Sequence, residues 1–540
     1  MALKLECVNY GFPYSERPCY HIKFRLDGGT REELTVLRIE VNGKWTRDYW
    51  VFNDGRFNPK NTFLTHSTNE LTVRADWENG GEYTVKVKCN DAKGKAAELS
   101  QSSRAPSSGG YWDKRWKYYG SNVLEETEGF AREGEPVHLL LGLYADRLDD
   151  PAREIRVVGI DPENGTPEEV PCQVYGSSTW DKMRDEHCQP TTTVEVAFLA
   201  GVPAFASKVY LIFYGNPDAE EPTYPTDLAV SGEGYGLTVE NNHYKTILHP
   251  KSGAIDEIHL KQNANVVFDH HRETNGSLHW NPGVYAPPRT WIHASDWENP
   301  GGYSTISGPV FIATKRHASL PLYPEVVCSI TYSFYTNKPY VIVESMIDVN
   351  KDMDVVALRN GEIVLNHDVV REFAWKKADG QIGSVVIKER PRHPTRGMDM
   401  HVSTPWFAFY NREVPCALGV VNLDLSAYRR DRGLVEWAPW NYLHWGPWTY
   451  CARPLIYTFI SPNPQRVMHV SSGSSFYERM AFHPCRLGPS EEERFMPIEE
   501  TALKLQHPLK TTVTHLDTDE RVPEEWVPPI LIEEFEEMED

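Results

Sequence analysis

Residues 237–261 read LTVENNHYKTILHPKSGAIDEIHLK, two alternating runs on either side of Pro250-Lys251-Ser252-Gly253. A proline opening that tetrapeptide and a glycine closing it predict a tight turn. Side chains alternate between the two faces of a strand, so the flanking runs predict a hairpin with one apolar face. Downstream the same pattern continues in VVCSITYSFYTN (326–337), PYVIVESMIDV (339–349), GEIVLN (361–366), WFAFYN (406–411), CALGVVNLDL (416–425) and LIYTFIS (455–461). Long helical periodicity is missing throughout. The expected fold class is therefore all-β, with a large β-supersandwich over 235–505 that carries the site.

Upstream the runs are shorter. HIKFRL (21–26), LTVLRIEV (34–41), LTVRADW (71–77) and EYTVKVKC (82–89) are separated by Gly/Asn/Asp turns and predict an Ig-like β-sandwich over 1–100. A polar Gly/Ser/Pro-rich linker is expected over 101–112. Strand-like runs resume from VHLLLGLY (137–144) to KVYLIFYGNP (208–217), so 113–225 is expected to form a small β-barrel or sandwich. Residues 516–540 end in Glu533, Glu534, Glu536, Glu537, Glu539 and Asp540, the pattern of a solvated acidic tail.

A chain of 540 residues exceeds one hydrophobic core, so several domains are expected. Its formal net charge of −21 argues against a nucleic-acid partner or an anionic membrane surface. The nine cysteines are scattered and contain no C-x-x-C, which points away from a zinc knuckle and from a disulfide framework. MALKLECVNYGF at the start has no apolar leader core, so a cytoplasmic location is expected. A secreted chain whose leader had been replaced by Met would begin in the same way.

The chemistry-bearing residues gather in two stretches. LHWNPGVYAPPRTWIHASDW (278–297) holds His279, Trp280, Tyr285, Arg289, Trp291, His293 and Trp297, and EWAPWNYLHWGPWTYCAR (436–453) holds Trp440, Tyr442, His444, Trp445 and Arg453. Prolines break both, which favours loops and strand edges over helix. Flat aromatic faces cover the apolar C–H face of a pyranose, and the polar groups between them bond its hydroxyls. Trp280, Trp291, Trp297, Trp440, Trp445 and Arg453 are accordingly the substrate-binding candidates. His293, His279 and His444 are candidate bases, Tyr285 and Tyr442 candidate bases or acids, and Arg289 and Arg453 candidate carboxylate neutralisers. If 289–293 is an extended strand, Arg289, Trp291 and His293 share one face. Two even-spaced carboxylate pairs, Glu344 with Asp348 and Asp296 with Glu298, could serve a hydrolase instead. No cofactor is certain from the sequence, but His270 or His271 with Asp269, or His367 with Asp368, could ligate a divalent metal.

The order EEVPCQVYG (168–176), then TVEVAFLAGVPAFASKVYLIFYGNP (193–217), resembles the small barrel preceding the central β-sandwich of exo-acting rhamnogalacturonan lyases. Residues 237–261 resemble the opening hairpin of the galactose-mutarotase-like supersandwich found in many carbohydrate-active proteins. The likeness covers roughly 113–490, and the α/α-toroid catalytic domain of those lyases has no counterpart here. It implies a carbohydrate substrate and, on a uronic-acid-containing glycan, cleavage by β-elimination as a polysaccharide lyase. Glycoside hydrolysis and non-catalytic glycan binding are the alternative expectations.

Overall fold

The computed structural model describes residues 4–11, 19–27, 32–54, 56–76, 82–104, 113, 115–161, 167–180, 191–263, 266–270, 278–279, 282–387, 396–401, 403–430, 433–434, 440–445, 449–457 and 467–515. Strand makes up 61% of the structure and helix 5%, so the all-β expectation holds. The acidic tail and most of the expected linker fall outside the described residues.

The chain forms two compact units, 1–224 with 509–540, and 225–508. The first holds two pairs of sheets. Strands between Lys4 and Arg104 make two five-stranded sheets. Strands between Tyr118 and Tyr214 make a three-stranded sheet and four strands of a five-stranded one, both open, so this region is a sandwich and not a closed barrel. The strand Ser207–Tyr214 shows why its sequence is apolar at nearly every position. Val209, Leu211 and Phe213 pack with the N-terminal sheets, while Tyr210, Ile212 and Tyr214 pack against the three-stranded sheet. A strand buried on both faces reads as a continuous apolar run. The strand Lys510–His515 joins this unit by pairing antiparallel with Tyr118–Glu125.

The second unit opens with the strands Ala229–Glu233 and Gly236–Glu240, and the expected hairpin follows. Tyr244–Leu248 and Ile255–Leu260 pair antiparallel around the Pro250–Gly253 turn, inside a five-stranded sheet. Two larger sheets follow. One runs from Ile292–His293 through Gly283–Tyr285, Ala357–Leu365, Thr449–Tyr457 and Trp440–Trp445 to Arg396–His401. The other has ten strands, with Tyr323–Tyr335, Val341–Val349, Ser474–Arg486 and Cys416–Arg429 at its centre. Alternate residues of these strands, among them Ile330, Val343, Val420, Phe476, Met480, Ile363 and Leu455, meet in one apolar core. Cys89, Cys172, Cys328, Cys416, Cys451 and Cys485 are buried free thiols that serve as small core residues.

A buried ion pair interrupts that core between the two larger sheets. Arg453, 3% exposed, donates from Nε to Glu478 Oε1 at 2.6 Å, and Glu478 is 2% exposed. Arg453 Nη2 reaches Asn422 Oδ1 at 3.3 Å, and beside the pair Ser345 Oγ donates to Asn360 Oδ1 at 2.7 Å. The backbone yields to make room. Gly361 has φ +58, and a Cβ there would stand 2.6 Å from Glu478 Oε2. Gly361→Ala combines a left-handed backbone with a clash against a buried carboxylate, so it should lower stability by about 2 kcal/mol or more. A urea denaturation curve reads this directly, and a loss below about 0.5 kcal/mol would mean the glycine is dispensable.

Candidate functional site

Gly283 is the geometric centre of the site. In the sheet it pairs with His293 on one side and with Arg359 on the other. Having no side chain, Gly283 lets those two reach across it, and Arg359 Nη2 lies 3.5 Å from His293 Nε2. Two residues along, on the same face, Tyr285 stacks on Trp291 with ring centroids 5.4 Å apart and planes at 13°. Trp291 stacks in turn on His293 at 5.7 Å and 24°. The Arg359 guanidinium lies 4.4 Å from the Trp291 ring and 5.7 Å from that of Tyr450. A guanidinium over an indole face gains cation–π attraction, more so where water is excluded.

Carboxylates hold both ends of this row. Glu362, whose side chain is 1% exposed, binds Arg359 Nη2 at 3.0 Å. Its other oxygen is 3.6 Å from His293 Nε2. Asp296 accepts the His293 backbone N–H at 2.8 Å, and the same oxygen is 3.8 Å from Nδ1. The imidazole therefore sits between two carboxylates, with one ring edge toward each. Chemically, the row brings a phenol, an indole, an imidazole and a guanidinium together on one face of the sheet.

Arg289 does not join the row, contrary to the strand expectation. Its amide bonds Ala286 O at 3.1 Å in a turn through Pro287 and Pro288, and only Ile292–His293 is extended. The side chain turns away to Glu325 at 2.6 Å and lies over Tyr323 at 4.2 Å. Arg359 occupies the place expected for it. The sequence signal for Arg359 was ALRNGEIVL, where three polar residues and a glycine interrupt a strand apolar at both ends.

His279 is a core residue. It is 1% exposed and its Nδ1 lies 2.8 Å from the Tyr332 hydroxyl. Burial pulls its imidazole down to about 3, with Arg316 adding to the effect, so it is neutral near pH 7 and poorly suited to be a base. Trp297 is also core, 3% exposed, with Nε1 donating to Ser319 O at 2.9 Å. Arg453 faces the space between the sheets and is spent on Glu478. Trp280 lies outside the described residues. Trp440, Tyr442, His444 and Trp445 form a strand paired with Thr449–Tyr457, so the two aromatic stretches share one sheet; the placement of their side chains lies outside what is described. Of the carboxylate pairs, Glu344 accepts from the Tyr477 hydroxyl at 2.8 Å, and Glu298 pairs with Lys251 at 2.9 Å, leaving Asp296 alone beside His293. His270 sits 3.4 Å from Asp256, and His367 bonds Thr449 at 2.8 Å. Among the described residues no group of three or more His, Cys, Asp or Glu side chains is placed to hold a metal ion.

His483 behaves like His279, pulled to about 3 by burial with a smaller contribution from His243. An unfolded histidine titrates near 6.5, roughly. Between about pH 6.5 and pH 3 the unfolded chain takes up protons that the folded chain refuses, so stability is lost as the pH falls through that window. Each histidine should contribute up to about 1.4 kcal/mol per pH unit to the loss. His483→Gln should give a visibly shallower decline than wild type in denaturation midpoints measured from pH 7 to 4. Parallel declines would refute the assignment.

No protein-family model matches the chain, and no curated protein matches it. Among solved structures, an α-mannosidase from Enterococcus faecalis V583 is 12% identical, with a TM-score of 0.45 over 75% of this chain and 47% of that one. The chain thus spans about half the length of the mannosidase. A galactose mutarotase related enzyme from Lactobacillus acidophilus is 9% identical, with a TM-score of 0.29 over 46% of this chain and 96% of that one. Both TM-scores lie below 0.5, so the fold rests on the sheets themselves. No helix among the described residues is long and apolar enough to cross a membrane.

Proposed function

We propose that this is a carbohydrate-active enzyme that cleaves a uronic-acid-containing glycan by β-elimination at the Tyr285–Trp291–His293 row. The carrying observation is the stack itself, in which an imidazole continues the line of two aromatic rings and contacts a guanidinium. Trp291 and Tyr285 would cover sugar faces, and His293 would take the proton from C5 of the uronate. The electron pair left behind forms the C4–C5 double bond as the C4–oxygen bond breaks, and the Tyr285 hydroxyl supplies the proton to the departing oxygen. Arg359 would donate to the uronate carboxylate, which acidifies the C5 proton.

Hydrolysis is the second reading, and one observation favours it. Asp296 and Glu362 lie on opposite sides of one imidazole, and two separated carboxylates are what an inverting glycosidase needs. Against it, Glu362 is buried and already bound to Arg359. A panel of uronic-acid glycans, rhamnogalacturonan included, and of neutral glycans separates the readings. Elimination gives a new ultraviolet absorbance from the conjugated uronate together with new reducing ends. Reducing ends without absorbance mean hydrolysis, and neither signal on any glycan would overturn the enzymatic reading.

A further inference from the structure

A cavity of about 320 Å³ opens beside the buried ion pair of the second unit. Its lining includes Ser403, Thr404, Asn422, Asp424, Arg453 and Gln506. It lies off the aromatic row. Arg453 pairs in register with Asn360, whose side chain bonds Ser345 of the opposite sheet, whereas the neighbouring Arg359 turns to the other face and to Trp291. We propose that this cavity is a second binding site, for a small neutral polyhydroxy ligand of the hexose class.

The walls are fixed before any ligand arrives. Asn422 spends its amide on Thr404 O at 2.7 Å and its carbonyl on Arg453. Gln506 donates to Pro405 O at 2.9 Å and to Asn422 O at 2.8 Å, which pins the end of the helix Met496–Gln506 to the rim. Such a preformed cavity, small on the ligand-pocket scale of roughly 300–1,000 Å³, suits one or two sugar rings. The remaining polar groups are mixed in kind. Arg453 Nη1 donates only, the Gln506 carbonyl and the Asp424 carboxylate accept only, and the Thr404 hydroxyl does both. Ligand hydroxyls satisfy all three kinds at once.

Charge selects against anions. Glu478 already neutralises Arg453 at 2.6 Å, and Asp424, whose side chain is 62% exposed, stands at the mouth. A uronate or phosphate entering there would meet two carboxylates, Glu478 and Asp424, and their guanidinium partners Arg453 and Arg479 are already engaged by them at 2.6 and 3.7 Å. The ligand class is therefore opposite in charge preference to the glycan assigned to the aromatic row, and the inference stands whether or not that assignment does.

The test is titration of the full chain, followed by NMR or calorimetry, with the methyl glycosides of glucose, galactose and mannose and with methyl glucuronide and galacturonide. At least one neutral glycoside should bind saturably, and at least tenfold more tightly than its uronic counterpart. Ser403→Trp, which fills the exposed rim without touching the ion pair, should weaken that binding tenfold or more at an unchanged melting temperature. Asp424→Ala should also weaken it and narrow the preference over the uronide. Trp291→Ala should leave it intact. The proposal is overturned if no neutral glycoside binds, if uronides bind the Trp291→Ala chain as well as neutral glycosides do, if Ser403→Trp and Asp424→Ala both bind like wild type, or if Trp291→Ala abolishes binding that Ser403→Trp keeps. Loss of glycan cleavage at the row alters none of these readings.

Discussion

Glu478→Ala is expected to cost the second unit about 3–5 kcal/mol, a large share of the roughly 5–15 kcal/mol that keeps a domain folded. The carboxylate it removes is the ion-pair partner of Arg453, and both groups sit in the inter-sheet core at 2–3% exposure. What remains is a buried guanidinium that has lost its ion-pair partner and keeps the Asn422 carbonyl at 3.3 Å, in a low-dielectric interior. The penalty comes from that uncompensated charge, and the net worth of the pair is a separate and smaller quantity. Replacing both partners, as in Arg453→Met with Glu478→Met, removes the charges together and should recover most of the loss. Urea denaturation of the wild type, the two single variants and the double variant closes the cycle. If Glu478→Ala lies within about 1 kcal/mol of wild type, the pair is not what holds the two sheets at this point.

His293→Ala should lower turnover on a confirmed substrate by about 10²–10⁴-fold, the usual share of a positioned acid–base group. Its side chain is only 12% exposed, yet its contacts are a stacked ring and three polar groups at 3.5–3.8 Å, so the fold should survive its removal. Trp291→Ala should act differently, raising KM through loss of the stacking surface. Arg289 provides the control. It is committed to Glu325 outside the row, and Arg289→Ala should leave turnover near wild type. A His293→Ala enzyme that melts normally and keeps full turnover would remove the imidazole from the mechanism.

The sheets were legible because period-two alternation is a local signal. LTVLRIEV occupies Leu34–Val41 as one strand, and the Pro250–Gly253 turn lies where its residues place it. The site was legible only in part. Tyr285, Trp291 and His293 do come together, but the partners that complete the row, Arg359 and Glu362, come from a strand more than sixty residues further along the chain. Cross-strand neighbours are set by register, which a sequence does not print. The Arg289 expectation failed for a local reason, since the Ala286–Arg289 turn ends the extended geometry that the spacing presumed. His279 and Trp297 misled in another way. Residue type marks what a side chain could do, while burial decides whether it meets solvent, and both are fully enclosed.

The pairing of Lys510–His515 with Tyr118–Glu125 makes the whole of 225–508 an insertion into the first unit. During synthesis, therefore, the ribosome delivers the strand Lys510–His515 only after it has made everything in between. Until then the Tyr118–Glu125 strand offers an open hydrogen-bonding edge, the kind that recruits strands from other chains. The nascent protein thus passes through a long interval in which the unit made before 225–508 is unfinished. A fragment ending at Pro508 would remain in that state permanently.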